Sequence, residues 1–358
     1  MLIPSGTSHC SSAMAKAAPR TVLITGCSSG IGLHMAVQLA QDPRKRFHVI
    51  ATMRDLRKKD KLEAAAGDTL NKTLSIQHLD VCSDELVTEC INSLPEKRLD
   101  VLVNNAGVGL VGPVESISID DMKRIFETNF FGAIRMIKAV LPERKQYHKG
   151  HIVVISSVMG LHGMNRMGGQ CWRKQSTDIQ TDASVNPWLS SVTPVANRDL
   201  VGPGISTSAA DHSNLSAGVP FNDVYAASKF AMEGFCESLA VQLLKFNIFI
   251  SLVEPGPVNT EFETKLMEEV TQSEFPGADA ATVHYFKEIY LSASHEIFTT
   301  MGQTPESVAK IIAYCVNSTL LKGRHHNPTL PVLKWFHLHT QNETGPGSVQ
   351  QPHIYLAN

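Results

Sequence analysis

Tyr225 and Lys229 stand four residues apart in Val224-Tyr-Ala-Ala-Ser-Lys229. They open a segment whose apolar residues, Phe230, Phe235 and Leu239 to Leu244, recur at helical spacing, so both side chains fall on one helix face. A free tyrosine, with a pKa of about 10, is a poor base at neutral pH. An ammonium group one turn away favours the phenolate and lowers that value. Such a pair can move a proton at the oxygen of an alcohol or a carbonyl. Ser157 follows the apolar run His151-Ile-Val-Val-Ile155, and its hydroxyl can hydrogen-bond the same oxygen. Interconverting a carbonyl and an alcohol also needs a hydride, which is a nicotinamide's chemistry.

The chain carries a stretch suited to holding that cofactor. Thr21-Val-Leu-Ile-Thr-Gly-Cys-Ser-Ser-Gly-Ile-Gly32 reads as a buried strand, a glycine turn and the start of a helix that continues through Leu33, Ala36, Val37 and Leu39. Glycines admit a pyrophosphate close to the backbone, and the helix N-terminus stabilises its charge. The spacing TGxxxGxG puts Thr25, Gly26, Ser28, Ser29, Gly30, Ile31 and Gly32 in that turn. A second strand, Phe47 to Thr52, ends at Met53-Arg54. An acid there binds the ribose 2′-hydroxyl of NAD, whereas a base accommodates the 2′-phosphate of NADP. Arg54, with Arg57, Lys58 and Lys59 behind it and Asp55 beside it, reads as NADP(H).

A third strand, Leu74 to Val81, brings Asp80 and Val81 to the adenine end, and Ser83 is placed to cap the helix after it. A fourth strand runs from Leu99 into the polar turn Asn105-Ala106-Gly107. Asn129 falls in the middle of a helix read over Ile119 to Leu141, a poor position by propensity. A sixth strand from Asn247 leads into Pro255-Gly256. Strands alternating with helices predict an α/β fold, a doubly wound parallel sheet covered on both faces.

Composition agrees. Of 358 residues, 43% are apolar, enough for a sizeable core. A formal charge of −2 gives no reason to expect a nucleic-acid partner or an anionic membrane. Seven scattered cysteines without a CxxC suggest neither a zinc site nor a disulfide framework, so no metal and a reducing, cytoplasmic setting are expected. No apolar run approaches the ~20 residues of a membrane helix. Met1 to Arg20 lacks the apolar middle of a signal peptide.

Taken in order, Thr25 to Gly32, Asn104-Asn-Ala-Gly107, Asn129, Ser157, Tyr225-Ala-Ala-Ser-Lys229 and Pro255-Gly256 resemble the signatures of the short-chain dehydrogenase/reductase family. The resemblance spans roughly Arg20 to Ser318 and implies a single Rossmann-fold domain. It also implies that Asn129, Ser157, Tyr225 and Lys229 are catalytic. In that scheme Lys229 binds the nicotinamide ribose as well, and Asn129 holds a water that relays protons to it. Val258 and Thr260 would lie near the nicotinamide, and a homodimer would form through the helices around Asn129 and Tyr225. The segments Asn105 to Pro113, Thr128 to Gly132, Val154 to Gly160 and Phe221 to Tyr225 resemble the branch acting on retinoids and 17β-hydroxysteroids. That resemblance implies NADPH-dependent reduction of all-trans-retinal to retinol, with a steroid ketone as the alternative substrate. Glu261 to Phe298 would then form an apolar substrate lid.

Two departures stand out. Family members keep about a dozen residues between serine and tyrosine, but Ser157 and Tyr225 are 68 positions apart. The excess, about residues 165–219, is rich in small polar residues without periodicity and reads as an irregular insertion of translated-intron character. It raises a further alternative, a chain that binds NADPH but is impaired in catalysis. Residues 1–19 read as an N-terminal extension and 319–358 as an irregular tail. The tail has no cysteine after Cys315, where the resemblance implies one for membrane attachment, so peripheral membrane contact is left open.

Overall fold

The computed structural model describes residues 18–160, 219–317, 336–340 and 353–356. Its sheet forms because short β-rich runs alternate with amphipathic helices. The strands are β1 (Arg20–Ile24), β2 (Phe47–Met53), β3 (Leu74–His78), β4 (Val101–Asn104), β5 (Gly150–Ile155), β6 (Ile248–Pro255), β7 (Phe336–Thr340) and β8 (His353–Leu356). They lie in the order β3-β2-β1-β4-β5-β6-β7-β8. All pairings from β3 through β7 are parallel, and β8 runs antiparallel to β7. The doubly wound α/β fold expected from the sequence is therefore present.

Alternation along each strand feeds two cores. Val22 and Ile24 of β1 enter one, with Leu33, Met35 and Ala36 of helix α1 (Gly30–Ala40) and Val308, Ile312 and Val316 of the last described helix. Leu23 enters the other, with Val87 of α3 (Asp84–Asn92), Met136, Ile137 and Val140 of α5 (Ala133–Tyr147), and Met232 and Cys236 of α6 (Asp223–Leu243). The small helix α2 (Asp60–Ala66) follows β2. The expected cap on α3 is made, since Ser83 Oγ accepts from Leu86 N at 3.2 Å.

The helix read over Ile119 to Leu141 is longer and not uniform. It comprises α4 (Ile119–Phe126), a π turn (Glu127–Gly132) and α5. Asn129 sits in the π turn, which resolves its poor propensity: the wider turn, of a kind frequent at functional sites, replaces the regular ladder there. After β6 the chain forms α7 (Glu261–Thr271), α8 (Ala280–His284), a second π turn (Tyr285–Tyr290), α9 (Leu291–Met301) and α10 (Pro305–Asn317). No helix among the described residues is long and apolar enough to cross a membrane.

The tail read as irregular contributes β7 and β8, a difference from the sequence reading. Phe336-His-Leu-His-Thr340 does alternate apolar and polar residues, but five residues are too short to stand out. The N-terminal extension through residue 17 and the insertion through residue 218 lie outside the described residues.

Candidate active site

The order of strands reverses at β1, and the crevice beyond the carboxyl ends of β1 and β4 is where such sheets bind ligands. The glycine turn stands there, and its shape is enforced. Gly26 has φ +73°, and a Cβ on it would lie 2.9 Å from Ala106 Cα. A Cβ on Gly32 would lie 2.3 Å from the Gly26 carbonyl oxygen. Thr25 and Asn105 knit this turn to the end of β4. Thr25 Oγ1 accepts from the backbone N–H groups of Asn105 (3.0 Å) and Ala106 (2.9 Å). Asn105 Nδ2 donates to the carbonyls of Thr25 (2.9 Å) and Gly26 (3.0 Å). These two residues therefore build the cradle with side chains already engaged.

Ser29 is the N-cap residue of α1 but makes no side-chain capping bond. The first N–H groups of α1, including those of Ile31 and Gly32, gain no partner from that cap, the arrangement that suits a pyrophosphate. Beside it lies a cleft of about 430 Å³ lined by Ser28, Arg54, Asp55, Arg57 and Lys58. The sequence singles out Arg54 in this group and leaves the effect of Asp55 beside it open; the geometry shows where Asp55 is engaged. Asp55 is engaged by Arg57, through Nε at 2.9 Å and Nη2 at 3.0 Å. Arg54 and Lys58 remain to meet an anion. Asp80 Oδ1 accepts from Cys82 N at 2.9 Å, which fixes the loop after β3, and Val81 packs over the π turn at Gly132. The residues present thus fit a dinucleotide with a phosphorylated ribose.

Ser157, Tyr225, Lys229 and Asn129 converge on the same edge. Ser157 acts on the Tyr225 phenol and lowers its pKa. Lys229 Nζ lies 5.5 Å from the Tyr225 ring centroid and donates to the Ile155 carbonyl at 3.0 Å. Burial pushes the Tyr225 phenol up to about 12, against the influence of Ser157, while the nearby Glu263 charge raises it further. Burial also pulls Lys229 down to about 8, opposed by the charge of Glu233. The lowering of the phenol by Lys229 expected from their spacing is not among the influences on Tyr225 here: the ammonium group is turned to a carbonyl.

Asn129 is buried with its amide in use. Its Oδ1 accepts from Val108 N at 2.8 Å, and its Nδ2 donates to the Val108 carbonyl (2.9 Å) and to Ser228 Oγ (3.1 Å). Ser228 Oγ in turn donates to the Tyr225 carbonyl at 2.7 Å. Asn129 thus ties the chain after β4 to the turn of α6 that bears Tyr225. A Cβ on Gly107 would approach Asn129 Oδ1 at 3.4 Å and Lys229 Nζ at 4.0 Å, so all three meet at one point. Pro255 ends β6, and beyond Gly256 the buried Val258 pairs with Gln303. Thr260 caps α7, accepting from Glu263 N at 3.3 Å, and its methyl faces Gly30.

The lid closes on this edge. A Cβ on Gly109 would lie 2.7 Å from Leu266 and 2.8 Å from Phe262, so α7 rests directly on the chain after β4. Much of the apolar stripe read in the lid packs together: Val111, Val270, Phe275, Phe286 and Tyr290 form a third cluster, joined by Leu266, Met267 and Phe221. Sequence reasoning missed Asn222 and Tyr290 as the joint between α6 and the lid. Asn222 Nδ2 donates to the Tyr290 hydroxyl at 2.7 Å, linking the N-cap of α6 to the lid. The available signal was an asparagine at the cap position three residues before Tyr225.

Comparison with known proteins agrees with this geometry. The profile of the short chain dehydrogenase family matches residues 20–169 and 212–271. Retinol dehydrogenase 8 of Bos taurus is 53% identical over 301 residues, covering 84% of this chain and 79% of its own. The 17-beta-hydroxysteroid dehydrogenase type 1 of Homo sapiens is 37% identical over 294 residues, covering 81% and 72%. Among solved structures, ElxO with NADP bound superposes with a TM-score of 0.54 at 25% identity, covering 87% of this chain and 94% of that one.

Proposed function

The chain belongs to the short-chain dehydrogenase family, and from that membership we propose that it is an NADP(H)-dependent retinol dehydrogenase that reduces all-trans-retinal. The observation that carries the chemistry is the placing of Tyr225 and Lys229, with Lys229 Nζ 5.5 Å from the Tyr225 ring centroid and close to Gly107, beside the glycine cradle. The 53% identity to a retinol dehydrogenase supports the retinoid as substrate.

Gly26, Gly30 and Gly32, with the N-terminus of α1, would hold the pyrophosphate, and Arg54, Lys58 and Ser28 would hold the ribose 2′-phosphate. Asp80 and Val81 would border the adenine, and Asn105, Ala106 and Gly107 with Pro255, Gly256, Val258 and Thr260 would border the nicotinamide half. The bound cofactor supplies the hydride. Ser157 donates a hydrogen bond to the substrate oxygen and fixes its place. Tyr225 gives that oxygen its proton as the alcohol forms. At neutral pH a phenol with a pKa of about 12 carries the proton it must donate. Lys229, held by the Ile155 carbonyl 5.5 Å from the Tyr225 ring centroid, would hold the nicotinamide ribose. Asn129 keeps Tyr225 and Lys229 in register with the cradle. The aromatic lid offers an apolar surface to a substrate with many carbons and one polar end.

The test is NADPH oxidation by the purified chain with all-trans-retinal, alongside estrone and NADH, with Tyr225→Phe as control. Turnover of retinal with NADPH that Tyr225→Phe abolishes supports the reading. Preference for estrone would replace the retinoid by a steroid, the substrate class of the 37% identical relative. NADPH binding without turnover of any carbonyl would refute the enzymatic assignment.

A further inference from the structure

Helix α7 enters the lid beside the glycine turn. A Cβ on Gly30, at the head of α1, would lie 3.4 Å from the methyl of Thr260, the cap residue of α7. The next residue, Glu261, forms an ion pair with Lys61 of α2, a partner 200 positions away in the chain. The residue after that, Phe262, closes on Gly109 behind β4. Three consecutive residues thus fasten the lid to three separate walls of the crevice: the turn after β1, the helix after β2 and the chain after β4. Helix α2 belongs to the cofactor wall, because it follows directly on the segment from Arg54 to Lys58 that lines the cleft. The cations around Lys61 are engaged within that wall. Arg57 is held by Asp55, and Lys59 pairs with Glu63 at 2.9 Å. Lys61 alone in α2 is a cation turned to the lid.

We propose that the Lys61–Glu261 pair is a cofactor strap: it ties the lid to the wall that binds the adenosine half and so governs how fast NADP(H) leaves. The inference rests on the cofactor reading of the glycine turn and Arg54. A dinucleotide held at both places spans the distance between the head of α1 and the loop before α2, and the pair joins the lid to that same loop's helix. Lifting the lid from α2 to release the cofactor therefore parts the pair. Lys61 and Glu261 have side chains 60% and 49% exposed. Their attraction is accordingly small and sensitive to salt. Such a pair can open at every turnover, in an enzyme class of motion where lid opening and product release often set the rate.

The experiment follows NADPH fluorescence in stopped flow as excess NADP displaces it from the full chain. Wild type is compared with Lys61→Glu, Glu261→Lys and the exchanged pair carrying both substitutions. Measurements are made at about 0.1 M and about 1 M salt, where screening lengths are about 10 Å and about 3 Å. Each single reversal is expected to speed dissociation about 2- to 5-fold at the lower salt, the scale of an exposed ion pair. The exchanged pair should return to the wild-type rate, and the differences should shrink at the higher salt. A mere change of local charge would act with opposite signs, with Lys61→Glu speeding release of the anionic cofactor and Glu261→Lys slowing it. That result overturns the strap, as do unchanged rates in both single variants or an exchanged pair no slower than they are. Wild type that binds no NADPH refutes the cofactor reading and the strap with it, whereas normal binding with unchanged rates removes the strap alone. Dissociation needs no turnover, so a chain inactive on every carbonyl still answers the question.

Discussion

Replacing Tyr290 by Phe removes one oxygen atom from the joint between the lid and the catalytic helix. The ring itself is secure: it stacks on Phe286 at 5.3 Å and 16°, and meets Phe221 edge-on at 5.3 Å and 71°. Asn222 Nδ2 loses its 2.7 Å partner and keeps only the Pro220 carbonyl at 2.9 Å. Asn222 and Tyr290 are each only 4% exposed, so water does not fill the gap. The buried Ser294 hydroxyl loses the same partner, and leaving a buried polar group unpaired costs about 1–3 kcal/mol. At roughly 2–4 °C per kcal/mol for a domain of this size, the melting temperature falls by several degrees. A loosened lid also weakens the hold on the apolar substrate, so KM for retinal rises by about 5- to 30-fold for 1–2 kcal/mol. NADPH affinity is expected to stay unchanged, because the hydroxyl lost binds Asn222 and Ser294, neither of them a residue of the cradle. The decisive assay is a double-mutant cycle with Asn222→Ala, read by unfolding and by KM, in which about 1 kcal/mol of coupling is expected. Additivity within about 0.5 kcal/mol would refute the joint.

Three further outcomes are expected. Arg54→Ala should raise KM for NADPH by about 10- to 100-fold, the loss of a charge-assisted hydrogen bond, and leave KM for NADH near its starting value; equal changes for both would remove Arg54 from the 2′-phosphate site. Gly32→Ala should abolish NADPH binding in equilibrium fluorescence titration, because its Cβ would stand 2.3 Å from the Gly26 oxygen; retained affinity would show that the turn is softer than drawn. Glu263 has a folded pKa of about 7 against an ordinary 4.5, so the folded chain binds the extra proton between those values. Stability attributable to this group therefore falls as pH rises from about 4.5 to 7, and Glu263→Gln should lessen that fall in melting temperature.

The fold was legible because Val22 to Ile24, Val101 to Val103 and Ile152 to Ile155 are uninterrupted apolar runs and the glycine turn has one physical purpose. Val22 to Ile24 cannot be exposed, and Gly26 at φ +73° and Gly32 against a carbonyl oxygen leave no room for other residues. Tyr225 and Lys229 were legible for the same reason: four-residue spacing on a helix is a distance. What escaped depends on pieces remote in sequence. Arg54 could be proposed, but only the folded loop shows Asp55 taken by Arg57. Tyr290 is 68 positions from Asn222, and nothing local marks either as half of a bond. The π turn at Asn129 was visible only as a misfit, a polar residue where a helix prefers none.

That misfit leads to how the site works as one unit. Asn129 bonds Val108 behind the cradle and Ser228 on α6, Ser228 bonds the Tyr225 carbonyl, and Asn222 at the head of α6 bonds the lid through Tyr290. Cofactor cradle, proton donor and substrate cover thus share one helix and a short chain of buried hydrogen bonds. A buried network of this kind is stabilising only when every member is satisfied. Displacement of the lid therefore acts on the N-cap of α6 and, one turn later, on Tyr225. In such an arrangement the phenol's high pKa is consistent with its task. Burial holds Tyr225 protonated at neutral pH, the state that the proposed role of proton donor in carbonyl reduction requires.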